Sequence, residues 1–230
     1  MGYVSESFLE AIRLMASGDR EFLTCVSASV SFSVSSTALA SIAAVPMGVG
    51  LATTDFRGKR LAVDVLKTLL SVPTVAVGLF VYAIIFSQGP LGGLRMLFTP
   101  GAVVLGQTVL ILPLITTLTY GAVAGVDPLV RETAHTLGAG PWRTLYVVAR
   151  EARAAILIAV ITGFGRVIGE VGISMLLGGN ISGYTRTITT AIALDTSKGE
   201  FALGMALGLV LLAVSFCLNI AVRVLGGTRL

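Results

Sequence analysis

FLTCVSASVSFSVSSTALASIAAVPMGVGLATT, residues 22–54, contains no charged side chain. As a helix it is longer than the ~30 Å hydrocarbon core of a bilayer, which about 20 apolar residues suffice to cross. Charged clusters bracket it, Asp19-Arg20-Glu21 before and Asp55-Phe56-Arg57-Gly58-Lys59-Arg60 after. The stretch therefore predicts a transmembrane helix, with a kink at Pro46 near its end.

The same pattern repeats along the chain. Further spans are expected at about 66–87, 102–124, 154–177 and 201–224, with Pro73 near the start of the first of these. That makes an all-α integral membrane protein of about five transmembrane helices, one domain over residues 1–230. Composition agrees: 55% of the residues are hydrophobic and only 12% charged, too few charges to cover a soluble domain of 230 residues. The net charge of +4 does not point to nucleic acid, because the basic residues sit in short clusters between spans, where lipid headgroups account for them.

Between the spans lie three informative segments. Residues 7–16 read as a short interfacial helix, with Ser7 and Glu10 as a capping box and Phe8, Ile12 and Met15 on one face. Residues 125–153 and 178–200 are polar, the second read as irregular. With five spans the two ends face opposite sides. Placing the N-terminus outside puts Arg57, Lys59, Arg60, Lys67, Arg131, Arg143, Arg150, Arg153, Arg223 and Arg229 inside. Only Arg13, Arg20, Arg95, Arg186 and Lys198 then lie outside. The excess of inner basic residues predicts an N-out, C-in protein of the cell membrane. Glu6 and Glu10 stand where a leader would be basic, so no signal peptide is expected.

Gly165 and Gly169, and likewise Gly204 and Gly208, are four apart, a spacing that lets helices approach within one subunit or across a dimer seam. Cys25 and Cys217 each sit in an apolar run and are expected to be buried, inert thiols. His135 is the only histidine, and no cysteine or carboxylate stands at ligand spacing from it, so no metal site is expected.

The most telling motif is Arg131-Glu132-Thr133-Ala134-His135-Thr136-Leu137-Gly138-Ala139-Gly140-Pro141-Trp142-Arg143. Asp127-Pro128 starts a helix before it, Ala134 and Leu137 share a face, and Gly138 and Gly140 allow a turn back to the membrane. Glu132, Ala134 and Gly138 resemble the EAA loop of ABC importer permeases, in which Glu-Ala-Ala is followed by three variable residues and Gly. Thr133 stands in place of the second motif residue, and Arg150-Glu151 where the family often has Leu-Pro. The resemblance implies the type I permease fold, working as a dimer. It makes Glu132, Thr133, Ala134, His135, Leu137 and Gly138 the coupling helix that sits in a cleft of a separate ATPase subunit, present in two copies. It also implies an external substrate-binding protein.

Gly165-Arg166 with Gly169-Glu170-Val171-Gly172, then residues 178–186 and 189–199, are similar to the molybdate, sulfate and tungstate branch, most of all to the tungstate permeases. The cargo implied is an oxyanion, tungstate before molybdate or sulfate. Arg166 and Glu170 share a helix face within a span and can pair; the alternatives are a structural ion pair or a transient attraction for a dianion. Ser71, Thr74 and Gln107 are further candidates for the pathway, and Asn180 and Arg186 for contact with a binding protein. No Gly-x-x-x-x-Gly-Lys-Ser/Thr loop occurs, so no cofactor is expected in this chain. ATP and magnesium belong to the partner, and the chain by itself is not an enzyme. The competing classes are an ATP-independent channel or secondary transporter, for which no internal repeat is evident, and a membrane-embedded enzyme, for which the spans lack clustered reactive groups.

Overall fold

The computed structural model describes residues 12–13 and 17–227. The helix expected over 7–16 lies, two positions excepted, outside the described residues, as does Arg229. Among the described residues the secondary structure is helical: α1 (Arg20–Thr53), α2 (Lys59–Leu69), α3 (Thr74–Ile85), α4 (Pro100–Ala124), α5 (Pro128–Thr136), α6 (Pro141–Glu151), α7 (Arg153–Ile168), α8 (Gly172–Gly178), α9 (Ile188–Lys198) and α10 (Phe201–Gly226).

Three helices, α1, α4 and α10, are long and apolar enough to cross a membrane unbroken. Two further helix pairs pass the same test only when each is taken as one span, bent at a short break. The span expected at 66–87 is not one helix: α2 begins at Lys59, inside the basic connector, and α3 leaves it at an angle of 101°. Pro73 is the cause, since it has no N–H to donate and disfavours helical geometry at Val72. The span expected at 154–177 breaks by 63° between α7 and α8. Here the Glu170 carboxylate accepts the N–H groups of Gly172 (3.0 Å) and Ile173 (3.4 Å), starting a new helix. By contrast α1 stays one helix through Pro46.

α1 and α4 form the centre of the bundle. A Cβ on Gly48 would lie 2.7 Å from the Thr116 carbonyl, so only glycine permits this approach. The serines of α1 serve the same contact: Ser36 donates to Gln107 Oε1 (3.0 Å), and Gln107 Nε2 donates to Ser174 (3.5 Å), tying α1, α4 and α8 together. Of the glycine pairs, Gly165 touches Leu218 of α10 and Gly204 touches α9, whereas Gly169 and Gly208 meet nothing within 4 Å.

Three apolar clusters set the ends of the bundle. Phe22 and Cys25 of α1 pack with Ile188, Ala191, Ala206 and Leu207 at one end. Ala40, Ala44, Ile111, Ile115 and Val167 fill the middle. Val49, Val123, Val148 and Ala152 close the other end, joining α1 and α4 to α6. Residues 125–153 and 179–200 thus lie at opposite ends.

Two expectations are corrected. Residues 178–200 are not irregular: they contain α9, packed on α1 and α10. Cys25 is buried as expected, but Cys217 is exposed, because α10 turns that face away from the bundle.

Candidate functional site

Two groups of residues stand out, a helical hairpin at one end and a broken helix pair in the middle. In the hairpin, Asp127 caps α5 by accepting the Leu129 N–H (2.9 Å), and Pro128 occupies the first turn, where its missing N–H costs nothing. The far end closes with Gly138 at φ +79°. Its N–H donates to the His135 carbonyl (3.0 Å), and the Ala139 N–H donates to the Ala134 carbonyl (2.9 Å). That is a Schellman cap, which needs a left-handed residue at this one position. It explains why Gly138 ends the motif.

The hairpin rests on the bundle through Thr144 and Val148, both buried, and Ala134 is buried between the two helices (7% exposed). Val130, Leu145 and Ala149 are half-buried against the Val148 cluster, and the larger apolar side chains point away. Leu137 is 82% exposed and Trp142 83%, with Leu129 and Tyr146 also open. Glu132 and Thr133 are exposed beside them. Four large apolar side chains are thus exposed on one short polar hairpin. His135 instead lines a cavity of about 240 Å³ with Arg131, Thr53 and Thr54, on the bundle side. Among the described residues no cluster of potential metal ligands occurs. Trp142, Tyr146 and Leu129 were not singled out in the sequence. The amphipathic spacing of Thr144 and Val148 against Trp142 and Tyr146 was the available signal.

In the middle, Arg166 Nη1 lies 3.4 Å from Glu170 Oε2. The two differ sharply: the Glu170 side chain is 4% exposed and that of Arg166 47%. Glu170 is spoken for by backbone donors of α8, and its own carbonyl accepts from Ser174 and Thr189. It anchors the break, leaving the guanidinium of Arg166 open. Thr74 joins this site, because its Oγ1 and Glu170 Oε1 both face Gly172, 3.7 and 3.4 Å from where a Cβ would stand. Ser71 is exposed at the α2–α3 bend. Gln107 is 2% exposed and engaged by Ser36 and Ser174, so it is a buried tie between helices and does not meet Arg166.

Asn180 and Arg186 lie at the other end. Arg186 is mostly buried and pairs with Glu21 of α1, while Asn180 donates to the Thr190 carbonyl (3.4 Å). Both hold the segment together.

A family model for the inner membrane component of binding-protein-dependent transport systems matches residues 44–227. The chain belongs to this family. Its relatives include the tungstate uptake system permease proteins TupB of Peptoclostridium acidaminophilum, 41% identical with 95% of this chain and 96% of the relative covered, and of Campylobacter jejuni, 38% identical with 95% and 92% covered. The molybdenum transport permease ModB of Escherichia coli K12 is 31% identical, covering 74% of this chain and 81% of its own length. Among solved structures, a chain of the MetNI methionine ABC transporter in an inward-facing conformation superposes with a TM-score of 0.68 at 15% identity, covering 89% of this chain and 95% of that one. The expected type I permease fold is the fold found. The three unbroken helices are long and apolar enough to cross a membrane, the two bent pairs bring the total to as many as five, and the chain is a membrane permease component.

Proposed function

We propose that this permease passes tungstate from an external binding protein to the cytoplasm, driven by two copies of a separate ATPase that hydrolyses magnesium-bound ATP. The observation that carries this is the full-length similarity to two tungstate permeases, against a shorter and weaker match to the molybdenum permease. Molybdate is the second reading, favoured by that weaker match.

The hairpin α5–α6 supports the coupling role of Glu132, Thr133, Ala134, His135, Leu137 and Gly138. Its open apolar face suits a partner cleft, and its base is fixed to α1 and α4, so force on the hairpin reaches the bundle. The basic residues Arg57, Lys59, Arg131, Arg143 and Arg150 gather at that end, which supports an inner-face hairpin and an N-out chain. A second copy of this chain is supported by Arg166. A half-exposed cation within a span has to face water or protein, and one subunit leaves it open. Arg166, half-neutralised by Glu170, then attracts the dianion without holding it.

The test is tungstate uptake in cells lacking this chain and complemented with it. Uptake should return and resist a large excess of sulfate; equal competition by sulfate would overturn the assignment. Arg166→Ala should abolish uptake, and wild-type rates would remove Arg166 from the path.

A further inference from the structure

α2 carries three distinct faces, although a lone amphipathic helix needs only two. Successive residues advance about 100° around a helix, which groups its side chains by position. Ala62, Val63 and Leu66 turn toward the bundle and are buried or half-buried. Leu61, Val65 and Leu69 form an exposed apolar stripe on one flank. Arg60, Asp64 and Lys67 form an exposed polar stripe on the other, and Ser71 continues it to the bend; Thr68 stands at the border, about 20° from Leu61.

The depth of this stripe is fixed by α4. At its first residue α2 shares a cavity with the end of α4, lined by Lys59, Tyr120, Val123 and Ala124. At its far end Leu66 and Leu69 share a groove with Leu112 and Pro113. Pro113 stands about 16 Å from the Ala124 end of α4 at 1.5 Å per residue, which is about half of a ~30 Å core. Asp64 and Lys67 therefore lie beside the membrane-spanning helix α4, between its Ala124 end and its middle. Among the described residues neither belongs to a salt bridge. An exposed ionised pair at that depth is stable only beside water, whereas the neighbouring Leu61, Val65 and Leu69 suit lipid or an apolar partner surface.

Beyond the bend the polar stripe continues to Thr74, which faces Gly172 beside Glu170 and so reaches the Arg166 site. The arrangement repeats itself: an open cation with a carboxylate one turn away, Arg166 with Glu170 and Lys67 with Asp64. We infer that the polar stripe of α2 lines the inner half of the water-filled path, and that Lys67 is a second cationic station for the oxyanion, between Arg166 and the cytoplasm. This rests on the oxyanion reading above.

The experiment uses the complete transporter carrying Cys217→Ser, with Cys25 left in place because it is buried. Single cysteines at 61, 64, 65 and 67 are treated with a membrane-impermeant, charged thiol reagent. Asp64→Cys and Lys67→Cys should react about tenfold faster than Leu61→Cys and Val65→Cys, because thiols in lipid stay protonated and out of reach. Excess tungstate should slow the reaction at 67. In parallel, Lys67→Ala should lower tungstate uptake roughly tenfold and Lys67→Arg should restore most of it. Equal labelling of both stripes, or wild-type uptake by Lys67→Ala, would overturn the inference. So would a Lys67 that only reaches back to headgroups, which leaves 64 unlabelled. The labelling does not depend on cargo: a complex that labels in this pattern yet takes up no tungstate rejects the cargo assignment and leaves the water-lined stripe intact.

Discussion

The two polar connectors of this permease behave in opposite ways. Residues 125–153 fold into a hairpin that turns Leu129, Leu137, Trp142 and Tyr146 outward and fixes itself to the bundle through few residues. Residues 179–200 do the reverse, burying Thr185, Thr187, Thr189, Thr190 and Asp195. Thr187 and Thr190 cap α9 reciprocally, the Ile188 N–H donates to Ser29 (2.7 Å), and Thr189 donates to the Glu170 carbonyl (2.9 Å). One connector leaves apolar surface exposed, which suits the docking role proposed for it. The other pairs its buried threonines within the subunit and so contributes rigidity, while Asn180 Oδ1, Arg186 Nε and Asp195 Oδ2 are buried without a hydrogen-bond partner.

Mutations should separate these roles. The largest effect is expected from Leu137→Asp, which places a charge in the docking face. ATPase association should weaken by about 3 kcal/mol, roughly a hundredfold, while the melting temperature of the isolated permease stays unchanged. A pull-down together with a thermal melt checks both. A fall in stability instead would make the hairpin a structural element like its counterpart.

At the opposite end, Ser29→Ala leaves the buried Ile188 N–H without an acceptor and should cost about 2 kcal/mol of stability. ATPase association should be unaffected once the protein is folded. Denaturation in detergent checks the first, and loss of association without loss of stability would break the contrast.

Gly138→Ala forces a side chain into the left-handed cap and should cost about 1 kcal/mol, confined to the hairpin. Faster hydrogen exchange at Ala139 and Gly138, with α9 unchanged, is the expected sign.

The smallest effect concerns Asp195, whose carboxyl is pushed above its ordinary range by burial and then by nearby Glu21, with Arg186 acting against both. The folded state therefore holds that proton more tightly than the unfolded state. Stability is gained as pH falls through the raised value and lost as pH rises. Asp195→Asn should flatten this dependence and slightly raise the melting temperature at neutral pH. An unchanged pH profile would show that Asp195 is not the group responsible.

The sequence revealed the spans and the hairpin because both are local signals. Charge-free runs such as 22–54 mark crossings, and Asp127-Pro128 with Gly138 marks the two ends of a capped element. What it hid depends on distant partners. α9 is held by Ser29, far away in the chain, so its threonines looked like solvated loop residues. Glu170 looked like a counter-charge to Arg166, and its larger task of starting α8 needs the backbone of Gly172 and Ile173. The 101° bend was partly legible in Pro73, but its consequence, an exposed charged stripe beside α4, needed the packing of α2 along α4. Cys217 was misread because apolar neighbours in a membrane helix say nothing about which side faces the bundle.

The most direct measurement is site-specific cross-linking from Leu137→Cys to the co-expressed ATPase subunit in native membranes. A cross-linked product that forms only when the reagent can reach the cytoplasmic face is the result expected of a hairpin gripped from inside. Labelling of that cysteine by an impermeant reagent added outside intact cells, with no product containing the ATPase, would contradict it.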